Sequence, residues 1–205
     1  MLARISPPEA IEAAAARVVE AVVIGASAGG FEALLAILQG LPPTYPMPLV
    51  AVLHLPDHHE SRLAELFGYR LELQAREARD KEPLAPGVLY FAPPGYHLSI
   101  ENDYSFSLSG EDRVSYARPS IDVLFASAAD AYGPSVAGIL LTGANFDGAA
   151  GLAGMQVAGG LTVVQDPASA EVRTMPEAAL RRMTPDLILP LAEIRSLLAR
   201  LGENR

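Results

Sequence analysis

Short apolar runs alternate with longer amphipathic stretches along most of the chain. Ala21–Ala26, Leu49–His54, Val88–Ala92, Val136–Leu141 and Leu161–Val164 are aliphatic runs of strand length, without the alternation expected of a sheet wetted on one face. Between and after them, helical spacing recurs near Phe31–Gln39, Glu60–Leu66, Ile121–Ala131, Ala149–Ala158, Pro176–Arg182 and Ala192–Leu201. This alternation predicts a doubly wound α/β fold, a mostly parallel sheet with helices on both faces. Residues 71–109 read as richer in strand. There Pro93-Pro94-Gly95 marks a turn, and His97–Ile100 with Ser105–Leu108 predict a small antiparallel hairpin at the sheet edge. Pro8 to Ala16 forms a short alanine-rich helix or arm. The pattern therefore divides into an arm over residues 1–20 and one domain over 21–205. The proline cluster from Pro42 to Pro48 is a stiff connection too short to separate domains.

Composition narrows the class. With 205 residues, half of them hydrophobic, the chain can bury one full core. Cysteine is absent, which excludes a disulfide framework, a thiolate metal site and a cysteine nucleophile. No stretch reaches the length of a signal sequence or a membrane span, so a cytoplasmic protein without direct membrane insertion is expected. A formal net charge of −9 disfavours nucleic acid as a partner.

The most informative stretch is Val22-Val-Ile-Gly25-Ala-Ser27-Ala-Gly29-Gly30. A strand pattern stops at Gly25, and a helical one begins at Phe31. A serine held in such a turn sits at the carboxyl end of the sheet, where helix N–H groups can stabilise an oxyanion. Gly25-Ala-Ser27-Ala-Gly29 also fits the Gly-x-Ser-x-Gly elbow of serine hydrolases. Two plainer readings compete: a dinucleotide-binding turn and a serine that only caps a helix. The first wants glycine where Ser27 stands, because a side chain there obstructs a pyrophosphate. A base should lie at the same edge, and His54 ends the next apolar run, just before Leu55-Pro56. A third apolar run leads through Thr142-Gly143-Ala144-Asn145-Phe146 to Asp147, an acid able to orient an imidazole or, equally, to cap a helix. The order Ser, His, Asp differs from that of α/β-hydrolases, chymotrypsin and subtilisin, so the elbow does not imply the α/β-hydrolase fold.

Taken together, these residues resemble the catalytic domain of the CheB family, the chemotaxis protein-glutamate methylesterases. The likeness runs from about Val22 to Leu191. It is carried by Ile24–Gly30, His54-Leu-Pro56, Leu89–Leu98, Arg118-Pro-Ser-Ile-Asp122-Val-Leu-Phe125, Leu141-Thr-Gly143, Asp147-Gly-Ala149, Gln165-Asp166 and Met175-Pro176. The resemblance implies a serine hydrolase that demethylates glutamate methyl esters on the cytoplasmic region of chemoreceptors, with glutamine deamidation as a related activity. It carries the catalytic triad over onto Ser27, His54 and Asp147 and implies no cofactor and no metal. Departures lie close to those residues: Ala28 where many members have Thr, Gly143-Ala144-Asn145 where Gly-Met-Gly is usual, and Leu53 where Gln precedes the histidine. Ala28, Ala144 and Asn145 are accordingly read as substrate-side positions, as is Arg118. The contrasting reading is a CheB-like binding module that has kept the fold, altered the chemistry and docks within a sensory complex.

About twenty residues precede the first strand, so the resemblance also predicts an open cleft indifferent to a phosphodonor. In the alternative, the Pro7–Ala16 arm folds over Ser27 as a lid. Asp57-His58-His59-Glu60 with His54 superficially resembles a metal cluster, but Pro56 argues against a continuous helix there and favours a solvated loop. His97, after the Pro-Pro-Gly turn, reads as structural.

Overall fold

A computed structural model describes residues 7–54 and 62–204. Seven parallel strands form the main sheet, in the order β3-β4-β2-β1-β7-β8-β9. They are β1 (Ala21–Ala26), β2 (Leu49–Leu53), β3 (Gln74–Glu77), β4 (Val88–Phe91), β7 (Val136–Leu140), β8 (Leu161–Gln165) and β9 (Leu187–Leu189). The helices are α1 (Pro7–Ala15), α2 (Gly30–Leu38), α3 (Leu63–Gly68), α4 (Ile121–Tyr132), α5 (Ala149–Val157), α6 (Thr174–Arg182) and α7 (Leu191–Glu203). The remaining strands, β5 (His97–Ile100) and β6 (Phe106–Ser109), pair antiparallel as a two-stranded sheet of their own. The hairpin thus forms where the turn residues place it, but it packs on α4 instead of extending the main sheet.

Each central strand feeds two cores, which explains its unbroken apolar run. Val22, Ile24 and Ala26 of β1 and Leu49, Ala51 and Leu53 of β2 join the core under α1, α2, α3 and α7. Val23, Val50 and Val52 point the other way, into the core under α4, α5, α6 and the hairpin. Successive strand residues face opposite sides, so only a strand covered on both faces can be apolar throughout. Two strands escape the apolar pattern. Gln74-Ala-Arg-Glu77 is a half-exposed edge strand, and Leu187–Leu189 is a three-residue edge at the other side. The predicted helix near Glu60–Leu66 appears over Leu63–Gly68, and residues 60 and 61 lie outside the described residues.

The arm does not form a lid. Ile11, Ala14 and Ala15 of α1 are buried in the same core as Ile194, Leu197 and Leu198 of α7. Asn204 donates to the Ala15 carbonyl at 3.0 Å, Arg200 pairs with Glu12, and Arg17 reaches the Gly159 carbonyl just before β8. This fastens the arm's exit at the amino edge of the sheet, whereas Ser27 leaves β1 at the carboxyl edge. The apolar face of α1 is satisfied by α7, which removes the driving force for covering the cleft. Among the described residues, no helix is long and apolar enough to cross a membrane.

Candidate active site

Chain reversal creates the site. From β1 the sheet grows outward through β2, β4 and β3, and the chain later returns to the other side of β1 with β7. Loops after β1 and β7 therefore diverge to opposite faces and leave a crevice at the carboxyl ends of these strands, where open α/β sheets bind ligands.

Ser27 lies one residue past β1, half-buried, and is held by its backbone: its N–H donates to the Thr142 carbonyl at 3.0 Å. Its carbonyl accepts the Gly30 N–H at 2.8 Å, which tightens the turn into α2. Gly29 makes this possible with φ of 74°, a left-handed conformation in which a β-carbon would also lie 2.7 Å from Glu171 Oε2. The helix starts at Gly30, so Ala28 is an exposed turn residue. His54 is the corresponding residue after β2. Ala26 and Leu53 are paired in register, and the His54 N–H donates to the Ala26 carbonyl at 3.1 Å. Ser27 and His54 thus leave neighbouring strands side by side.

Asp147, in the loop between β7 and α5, is fully buried and accepts four hydrogen bonds. Oδ2 receives His54 Nε2 at 3.0 Å and the Ile121 N–H at 2.7 Å. Oδ1 receives Ser120 Oγ at 2.8 Å and the Asp122 N–H at 3.0 Å. Asp147 thus meets the histidine and caps a helix at the same time. The helix it caps is α4, not the α5 that follows it. Asp122 returns the favour: its Oδ1 accepts the Gly151 N–H in the first turn of α5 at 2.7 Å. Burial alone would raise the Asp147 pKa, but the bonds from His54, Ile121, Asp122 and Ser120 outweigh it and hold the carboxyl below its usual range. Burial dominates at Asp122 and pushes that carboxyl up, with the neighbouring Asp147 charge adding to the rise.

Asn145 was expected on the substrate side. Its Oδ1 accepts the Asp147 N–H at 3.1 Å, and its Nδ2 lies 3.3 Å from His54 Nδ1. Ala144 beside it is exposed. Arg118 is occupied elsewhere, its Nη1 donating to the Gly110 and Glu111 carbonyls at 2.8 Å each, so it pins its own loop. His97 is structural: Nδ1 accepts the Ser120 N–H at 3.2 Å, and Nε2 donates to the Asp112 carbonyl at 3.0 Å. It thereby holds the residue that donates to Asp147. Among the described residues no group of three His, Asp or Glu side chains gathers as a metal site, and Asp57-His58-His59-Glu60 falls outside those residues.

Sequence reasoning passed over four residues that build this edge. Ser120 supports Asp147. Thr142 is buried, with Oγ1 donating toward the Ala28 and Val172 carbonyls and accepting the Val172 N–H at 2.9 Å. Gln165 accepts the Thr142 N–H at 2.8 Å. Met175 packs so closely on Gly143 that a β-carbon there would lie 2.6 Å from its Cε and 3.0 Å from Ser27 Cβ. All four stand in the motifs quoted above, but their partners are distant in sequence, and no local pattern names them.

The sequence profile of the CheB methylesterase family matches residues 22–198. The chain belongs to the CheB methylesterase family. A Leptospira interrogans relative, named provisionally as a protein-glutamate methylesterase/protein-glutamine glutaminase, is 43% identical over 90% of this chain and 96% of its own. The protein-glutamate methylesterase/protein-glutamine glutaminase 2 of Anaeromyxobacter dehalogenans is 44% identical over 94% of this chain, which spans 56% of that longer protein. The crystal structure of the Thermotoga maritima CheB methylesterase catalytic domain superposes with a TM-score of 0.84 at 32% identity, covering 89% of this chain and 98% of that one. Leu53, Ala28 and Ala144-Asn145 all lie within the region that the profile matches.

Proposed function

We propose that this chain hydrolyses methyl esters of glutamate side chains on methylated chemoreceptors, with Ser27 as nucleophile, His54 as base and Asp147 orienting the base. The observation that carries the reading is the side-by-side exit of Ser27 and His54 from adjacent strands, with Asp147 hydrogen-bonded to the imidazole at 3.0 Å. Asp147 has only acceptors to offer, so Nε2 carries the ring hydrogen and Nδ1 carries the lone pair. The Ser27 hydroxyl gives its proton to Nδ1 as Oγ bonds to the ester carbon. The same proton then goes to the departing methoxide, which leaves as methanol. Water next gives a proton to Nδ1 and attacks the acyl-enzyme, and Ser27 recovers its hydrogen as the glutamate is released. For a glutamine side chain the leaving group is ammonia. The Gly30 N–H is already taken by the Ser27 carbonyl. Among the described residues the Ala28 and Gly29 N–H groups have no acceptor, and they are the donors available to the oxyanion.

Methanol release from a methylated chemoreceptor fragment tests the reading. Ser27→Ala should lower turnover by a factor on the order of 10⁶ while leaving the thermal midpoint nearly unchanged. Wild-type turnover in that variant overturns the assignment of the nucleophile. An inactive wild type that still binds the receptor supports the binding-module reading instead.

A further inference from the structure

We infer that Asn145 is a positioning residue for the base, holding His54 in its neutral form with the lone pair on Nδ1 until a substrate arrives. The inference rests on the reading of His54 as the base. It follows from two fixed ends of a short hydrogen-bond chain. At one end, Asp147 Oδ2 can only accept, so the imidazole donates from Nε2. At the other, Asn145 Oδ1 accepts the Asp147 N–H at 3.1 Å, which turns the amide so that Nδ2 faces Nδ1 at 3.3 Å. An amide donor against an imidazole lone pair is satisfied only while His54 is neutral. Protonation of Nδ1 sets donor against donor, so Asn145 opposes the imidazolium while Asp147 favours it.

The two influences divide the work. Asp147 selects the tautomer and supports the positive charge formed during acyl transfer. Asn145 sets its amide donor against the atom that must later receive the Ser27 proton. The contact is long for a hydrogen bond, and Asn145 is half-buried between exposed Ala144 and exposed Phe146, so its side chain yields to an incoming substrate without disturbing a packed core. Among the described residues, Asp147 is the charged group in contact with the ring. Asp122 of α4 donates its N–H to the same carboxylate, and Glu171, from the loop before α6, packs on Gly29 at the Ser27 turn. These three carboxylates are common to every variant below, so differences between variants report position 145.

The test compares wild type, Asn145→Ala and Asn145→Asp by NMR titration of the His54 imidazole, assigned against His54→Gln, and by the acidic limb of the kcat/KM profile. Alanine removes the donor and should raise the His54 pKa by about half a unit. Aspartate keeps an oxygen for the Asp147 N–H but places a carboxylate against Nδ1, and should raise it by about one unit or more. A residue that merely built the turn would be replaced by alanine with no change in the titration. An imidazole that titrates alike in wild type and Asn145→Ala overturns the inference. The NMR readout does not require turnover. If the imidazole shifts as stated while the acidic limb of kcat/KM stays fixed, the positioning by Asn145 stands and the assignment of His54 as base fails.

Discussion

Replacing Asp147 by asparagine separates the two jobs that this buried carboxylate performs. The side chain keeps its shape, but one oxygen becomes an NH₂ group. If that group takes the Oδ2 position it faces the Ile121 N–H, and if it takes the Oδ1 position it faces the Asp122 N–H. Either orientation leaves one buried backbone donor at the start of α4 without an acceptor, a loss of about 1–3 kcal/mol. Removing the negative charge from that helix N-terminus adds about 1 kcal/mol. The sum, about 2–4 kcal/mol, corresponds to a fall in thermal midpoint of about 4–16 °C for a chain of this size. Where the NH₂ takes the Oδ2 position, turnover should fall by about 10⁴-fold, because an NH₂ facing Nε2 there drives the ring hydrogen onto Nδ1 and removes the lone pair that Ser27 needs. Stability also acquires a different pH dependence. The Asp147 pKa is lowered in the folded state, so its contribution is present above its unfolded value of about 3.9 and is lost as pH falls below that toward the folded value. The gap in stability between wild type and variant should therefore narrow as the pH is taken below about 4. Urea denaturation across pH, together with methanol release, measures both effects. A variant that melts within about a degree of wild type and keeps more than about a tenth of its turnover refutes the reasoning.

Two further expectations follow from the packing. Gly143→Ala would push a β-carbon into Met175 Cε at 2.6 Å, Met175 Sδ at 2.7 Å and Ser27 Cβ at 3.0 Å. Overpacking of this kind costs about 1–3 kcal/mol, and displacement of Ser27 should lower kcat about tenfold in a methanol-release assay; unchanged kcat would show that the glycine does not set the position of the serine. Deleting residues 1–16 should lower the thermal midpoint by several degrees without raising turnover, because Ile11, Ala14 and Ala15 are buried with α7 and not over the cleft. A large rise in turnover would mean that the arm inhibits after all.

What the sequence determined by itself was the part governed by local and periodic physics. Central strands buried on both faces must be apolar throughout, so β1, β2, β4, β7 and β8 were legible nearly to the residue. Ser27 and His54 were singled out because each directly follows such a run, and Asp147 because it lies in the loop after a third; parallel strands send their carboxyl ends to one edge. The edge strands β3 and β9 were not, since Gln74-Ala-Arg-Glu77 has no hydrophobic pattern to show and three residues are too few to display a period. The family resemblance supplied a triad, but not how its members are held. Only the tertiary structure decided that Asp147 caps α4 while Asp122 caps α5, that Asn145 bridges the Asp147 backbone to His54 Nδ1, that Arg118 is bound to its own loop, and that α1 docks on α7. These are hydrogen bonds and contacts between residues about 25 to nearly 190 positions apart, apart from the short Arg118 and Asn145–Asp147 links. A side chain's type states that it needs a partner; which partner it finds depends on where the folded backbone sets it down.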